Sequence, residues 1–324
     1  MPDEAAVPPP DRPFPALEHL RWSARPRLHR PVLIVAFEGW NDAGDAATTA
    51  VRYLADQWRA RPFASVDPEI FYDFTSTRPH VQFDDQGGRE IVWPENVMSS
   101  ASISNDLDVI TLIGTEPQLR WRTFCTQITG LAQLFDVRLV ITVGSLLTEV
   151  PHTRPTPVYG AAYDDDVTLE LGLMPSRYEG PTGIVGILHD ACIKADLQAA
   201  ALWAAVPAYA SQVPSPKATL ALVERLGGII GTTMPTARLE AEVGEYESRV
   251  TAIVAEDDDL AGYVRRLESM SDAGIEDFSL DDDDDIDEDE DDDDVVGGEL
   301  EAELPETVDG PAFIDEVERF LRDQ

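Results

Sequence analysis

The chain has 324 residues, 43% of them apolar, and a net charge of −38, which is enough apolar material for one large or two ordinary soluble domains. From Glu256 onward 30 acidic residues face 4 basic ones, whereas the preceding body carries 32 against 20, so no basic face is available for a nucleic-acid partner. With only Cys125 and Cys192, and no uncharged stretch longer than the proline-interrupted Leu197–Pro216, a disulfide framework, a cysteine zinc site and a membrane span are excluded. The N-terminus "MPDEAAVPPPDRPFP" lacks the basic-then-apolar order of a signal peptide, so a cytoplasmic protein is expected.

Residues 1–28 are Pro-rich and without periodicity, which predicts a loosely ordered arm. VLIVAF (32–37) is a continuous apolar run, as for a strand covered on both faces, and Ala47, Ala50, Val51, Leu54 and Trp58 then recur at helical spacing. EIFYDF (69–74) reads as a further strand, and "VQFDDQGGREIVWP" (81–94) as a hairpin turning at Asp85 to Gly88. DVITLIG (108–114) reads as a buried strand leading into "TEPQ", where Thr115 and Gln118 have capping-box spacing. The helix that follows carries Trp121, Phe124, Cys125, Ile128, Leu131, Ala132 and Phe135 on one stripe. VRLVITVG (137–144), GIVGIL (183–188) and AAALWAAV (199–206) add three strands, and Ser215 with Pro216 opens a last helix of the core. Strands alternating with amphipathic helices imply an α/β domain over 29–235 with a mostly parallel sheet between helical layers.

Beyond Pro235, Leu239, Val243, Tyr246, Val250, Ile253, Leu260, Val264 and Leu267 fall on steps of four and three, interrupted at Asp257. That spacing predicts a helical appendage over 236–272, as one helix or as a hairpin folding at Glu256 to Asp259, packed on its own chain or on a neighbouring subunit. Residues 273–310 contain "DDDDDIDEDEDDDD" and read as a disordered acidic linker. Phe313, Val317 and Phe320 give a short amphipathic helix over 311–324, which docks on the body or in a partner's groove.

In a parallel sheet, ligands collect outside the carboxyl ends of the strands. The elbow after the first strand offers Glu38, Asn41, Asp42 and Asp45; its carboxylates suit acid/base work and its amides an anion, or else Asp42 or Asp45 caps the helix and Gly39 and Gly44 permit the turn. Trp40 beside them reads as a packing or oligomer contact. The loop "GSLLTEVPHTRPTPVYG" (144–160) holds Glu149, His152 and Arg154 between prolines, a phosphate- or carboxylate-binding composition, or an ordered loop in which Arg154 ties down a carboxylate. A third segment (178–192) holds Glu179, His189 and Asp190, although adjacent residues do not face each other on a helix. Asp42, Glu149 and His152 are the catalytic candidates. Neither a dinucleotide fingerprint nor a phosphate loop is present, the only lysines are Lys194 and Lys217, and neither a cofactor nor a metal is expected.

The stretches "LIVAFEGWNDAG", "LIGTEPQLRWRTF", "VGSLLTEVPHTRPTPV", "YEGPTGIVGILHDAC" and "LWAAVPAYASQVPSPKATLALVERL" together resemble the proteasome assembly chaperone 2 family in its bacterial branch. The resemblance implies a three-layer α/β/α sandwich similar to nucleoside phosphorylases, added C-terminal helices and a small homo-oligomer, a trimer. It implies no catalytic residue. Partner-binding members end in a hydrophobic-Tyr-X tail, whereas this chain ends "RFLRDQ".

Two functions follow as expectations. One is a non-catalytic, assembly-chaperone-like protein that binds itself and another protein complex, with Trp40, Leu239, Val243, Tyr246, Val250, Phe313, Val317 and Phe320 as contact residues. The alternative is an enzyme or a nucleotide, nucleoside or anion binder at the rim, as in the ATP-grasp or carboxylate-amine ligase label some bacterial relatives carry. These separate on whether Asp42, Asp45, Glu149, His152 and Arg154 converge on a pocket or are already used in caps and ion pairs.

Overall fold

The computed structural model describes residues 17–83, 87–176 and 178–274. The chain enters the sheet at β1 (Leu20–Trp22), and β2 (Val32–Glu38) runs through its middle with six successive buried residues. Then follow α1 (Ala46–Gln57), β3 (Arg61–Val66), β4 (His80–Phe83), β5 (Arg89–Val92), β6 (Asn96–Ser104), β7 (Leu107–Thr115), α2 (Trp121–Leu134) and β8 (Leu139–Thr148). The remainder is β9 (Val158–Ala161), α3 (Asp165–Leu171), α4 (Ile184–Lys194), β10 (Ala199–Pro207), α5 (Pro216–Ile230), α6 (Ala237–Val254) and α7 (Asp258–Asp272).

Eight strands form one sheet in the order β1-β3-β6-β7-β2-β8-β10-β9. The central β7, β2, β8 and β10 are parallel, β6 and β9 flank them antiparallel, and β3 again runs with the centre, so five of the eight share one direction. The alternation of β2 divides its side chains between two helical layers. Leu33, Val35 and Phe37 meet Phe124 and Ile128 of α2 and Leu188 of α4, whereas Ile34 and Ala36 meet Val51 and Leu54 of α1 and Leu222 and Leu226 of α5. Burial on both faces is why this strand reads as an unbroken apolar run. Cys125 and Cys192 lie in the first layer, where burial pushes both thiols up to about 12.

Several elements differ from the sequence reading. EIFYDF is not a strand: Pro68–Ile70 is a 3-10 turn capped by Asp67, and Phe71 and Tyr72 are buried as core plugs, while the strand of this region is the earlier β3. GIVGIL is the first half of α4, which packs on the sheet rather than within it. The "TEPQ" capping box is absent, because α2 starts only at Trp121 and the Gln118 side chain accepts from Asp73 N at 2.9 Å. Within the arm expected over 1–28, residues 20–22 pair with β3 and bury Leu20. β6, rich in serine, carries no apolar run and was not anticipated.

The helical segment is a hairpin. Asp257, at the interrupted heptad place, is the N-cap of α7, its carboxylate accepting from Asp259 N at 2.9 Å and Leu260 N at 3.0 Å. Leu239 is buried in the second core layer, Val243 is half-buried, and Tyr246, Val250, Val254 and Val264 form a third cluster with Ala210. Residues 17–176 and 180–274 belong to one compact unit, so this hairpin is part of the body. Among the described residues no helix is long and apolar enough to cross a membrane. The acidic run 281–294 and Phe313, Val317 and Phe320 lie outside the described residues.

Candidate functional site

The elbow after β2 is built by its own side chains. Gly39 turns the chain at φ +118, in the region that favours glycine, and Asp42 N donates to Gly39 O at 3.0 Å. Asp42 is buried; one carboxylate oxygen accepts from Ala47 N at 2.7 Å and Thr48 N at 3.2 Å, and the other from the Thr48 hydroxyl. Desolvation raises its carboxyl above the ordinary value, against the pull of those donors. Asp42 is therefore the cap of α1, whereas Asp45, at φ 50, makes no capping bond. Ser145 of β8 donates to Ala43 O at 2.8 Å, and Ser215 N donates to Gly44 O at 2.8 Å, so the elbow is clamped from both neighbouring elements.

Glu38 accepts from Arg52 and, at 3.2 Å, from the Thr115 hydroxyl, while Trp40 stands 63% exposed. Glu116, which sequence reasoning missed, places a carboxylate oxygen 2.9 Å from Ile184 N. The anion position at the start of α4 is thus filled by the protein itself. Asn41 is buried against the same point, its Oδ1 has no hydrogen-bond partner among the described residues, and a Cβ on Gly183 would collide with it.

The loop after β8 faces the helical hairpin instead of the elbow. Glu149 accepts from the Tyr263 hydroxyl at 3.2 Å. His152 is buried: its backbone N donates to the Tyr209 hydroxyl at 2.7 Å, Nδ1 lies 2.7 Å from that hydroxyl, and Nε2 lies 2.9 Å from Thr251 Oγ1. Lys217 Nζ donates to His152 O at 2.6 Å and pairs with Glu247. Burial, and then the neighbouring Lys217, hold the imidazole below its ordinary value, with Glu247 and Glu268 opposing. Arg154 grips Asp272 with two bonds, Nε to Oδ1 at 2.7 Å and Nη2 to Oδ2 at 2.8 Å, and lies 3.5 Å from Glu268. The crevice beside His152, lined by Pro151, Pro157, Lys217 and Tyr246, leaves no room for a water-sized body.

The candidate residues therefore separate into an elbow group (Glu38, Asn41, Asp42, Asp45) and a latch group (Glu149, His152, Arg154) with different partners. Asp190 pairs with Lys194 at 2.6 Å rather than with His189. Among the described residues no group of three potential metal ligands converges.

The sequence model of the PAC2 family matches residues 36–254. A PAC2 family protein from Streptomyces avermitilis, known by crystal structure, is 44% identical with a TM-score of 0.68, covering 72% of this chain and 99% of that one. The chain belongs to the PAC2 family. A proteasome-assembly chaperone homologue from Mycobacterium tuberculosis is also 44% identical, with a TM-score of 0.66 over 72% of this chain and 99% of that one. An archaeal proteasome activator from Pyrococcus furiosus, 17% identical with a TM-score of 0.58 over 72% and 97% of the two chains, shares the fold. No relative was found among curated proteins. In this PAC2 chain the partners of the latch, Tyr209, Thr251, Tyr263, Glu268 and Asp272, come from 57 to 118 residues away and carry no local motif. Glu116 alone had a local sign, an acid at the end of a buried strand.

Proposed function

We propose that this PAC2 member is a non-catalytic, assembly-chaperone-like protein of the cytoplasm, acting as a small homo-oligomer, a trimer, on another protein complex. The observation that carries the reading is that four of the five groups a reaction would need, all but Asp45, are already used within the chain. Asp42 is used in a cap, Glu149, His152 and Arg154 hold the helical hairpin, and Glu116 fills the start of α4. A relative 44% identical is a proteasome-assembly chaperone homologue, which supports the same direction. Exposed Trp40 on the rim is the contact assigned to oligomer or partner, whereas Leu239, Tyr246 and Val250, expected in the same role, are buried within this chain.

The alternative, an enzyme or nucleotide, nucleoside or anion binder at the rim, including the ligase label, is favoured by one feature, the unpartnered Oδ1 of buried Asn41 beside Gly183. Native mass spectrometry with nucleosides, nucleotides and phosphate separates the two. The expected spectrum is a trimer without specific adducts; a saturable adduct lost in Asn41→Ala would establish the alternative.

A further inference from the structure

The strands β4 and β5 stand outside the main sheet and, among the described residues, pair only with each other, with Val81 opposite Ile91 and Gln82 opposite Glu90. All eight of their residues are exposed, an unusual condition for a two-stranded ribbon, which is marginal without packing. The ribbon is tied to the body near Trp93, whose ring meets Phe74 edge-on at 4.8 Å. Beneath it opens a cleft of about 500 Å³, lined by Gln82, Glu90 and Ile91 of the ribbon, by Trp93, and by Glu69 and Glu95. Arg21 also reaches this cleft, but Asp67 holds it at 2.7 Å. Glu69, Glu90 and Glu95 have no ion-pair partner among the described residues, and the Glu90 hydrogen bond is to Gln82 at 3.4 Å. Trp93 is 46% and Ile91 51% exposed.

We propose that this cleft binds an extended basic segment of a partner protein. Unpaired strand edges offer main-chain hydrogen bonds to an added strand, and alternate side chains of that strand would enter the cleft. Arginine or lysine there meets the glutamates and the face of Trp93, and an apolar residue meets Ile91. Charge rules out the acidic region of this chain as the occupant: from Glu256 onward it has 30 acids against 4 basic residues and is repelled by three glutamates, as is any phosphate-bearing ligand. The inference rests on the partner-binding reading, but at a surface separate from the rim and the latch.

The probe is a labelled peptide of about ten residues alternating arginine and valine, with a glutamate–valine peptide as control. It is titrated by fluorescence anisotropy into the full chain and into the Glu69→Gln/Glu90→Gln/Glu95→Gln variant. The acidic region after Glu256 attracts the basic peptide equally in both proteins, so the difference between them reports the cleft. Affinity for the basic peptide should fall about tenfold in the triple variant, and the wild-type advantage should vanish at about 0.5 M salt. Glu90→Lys, at an exposed strand position, should act in the same direction, and hydrogen exchange should slow in residues 80–95 of the wild type on peptide addition. Equal affinity for wild type and both variants, or protection confined to residues after Glu256, overturns the inference and leaves the partner-binding reading to its own test.

Discussion

His189 is buried on α4 with neither ring nitrogen hydrogen-bonded among the described residues, and its ring contacts Tyr163 at a centroid distance of 5.7 Å. An unsatisfied buried polar group costs about 1–3 kcal/mol, so His189→Leu, of similar volume, should raise unfolding stability by about 1 kcal/mol in urea denaturation. Burial also holds the His189 imidazole below its ordinary value, with Asp190 opposing, and His152 is held down in the same way. The folded state then binds fewer protons than the unfolded chain. The stability these groups contribute is fully present above about pH 6.5 and is lost as the pH falls through 6.5 toward the depressed folded values. The pH slope below 6.5 should be reduced in His189→Leu, with a remainder due to His152; an unchanged slope contradicts the burial argument. Asp272, held down by its bonds to Arg154, contributes separately, losing stability only below its ordinary 3.8. At this scale the cap role of Asp42 was legible, because an acid a few residues ahead of a helical stripe has a local meaning. The role of Arg154 was foreseen only as one of two uses, since Asp272 lies 118 residues away.

The element that gives the candidate residues their meaning is the α6–α7 hairpin. It is held by Leu239 in the second core layer, by the Tyr246 and Val250 cluster, and by the loop carrying Glu149, His152 and Arg154. If that loop is a latch, His152→Gln with Arg154→Ala should speed hydrogen exchange in α6 and α7 while the amides of β2 and β8 keep their protection. Exchange unchanged in α6 and α7 would show that these residues hold something other than the hairpin. Heptad spacing made the helices legible and Asp257 marked the break. The misread elements have physical causes. GIVGIL is six apolar or small residues, too short a run for period to separate strand from buried helix. EIFYDF has strand composition, yet Pro68 and the Asp67 cap start a 3-10 turn that sends Phe71 into the core. In β6, at the change from parallel to antiparallel pairing, Ser99 and Ser100 are half-buried and Ser102 and Ser104 exposed, so the strand has no apolar run to read.

Over the whole molecule, five co-directed strands bring the ends of β2, β7 and β8 to one rim, the usual place for a ligand in such a sheet. Here the rim is closed by caps and by a carboxylate from the chain itself, and the adjoining loop is spent on the hairpin. The layered α/β plan was legible because both faces of β2 are covered and its run is unbroken, whereas the antiparallel wings were not, their short strands having no period of their own. The charge, too, is partitioned by region: the body carries 32 acids against 20 basic residues, and most of the acidity, 30 acids against 4 basic residues, lies from Glu256 onward. Such a molecule fits work done through surfaces. The most direct measurement is quantitative capture from the native host of the full-length protein and of a version ending at Ser279, read by mass spectrometry. The account predicts a stoichiometric protein-complex partner that survives in high yield with the full chain and that no small molecule elutes. Capture of no partner by either version, together with a nucleotide or nucleoside carried by both, would contradict it.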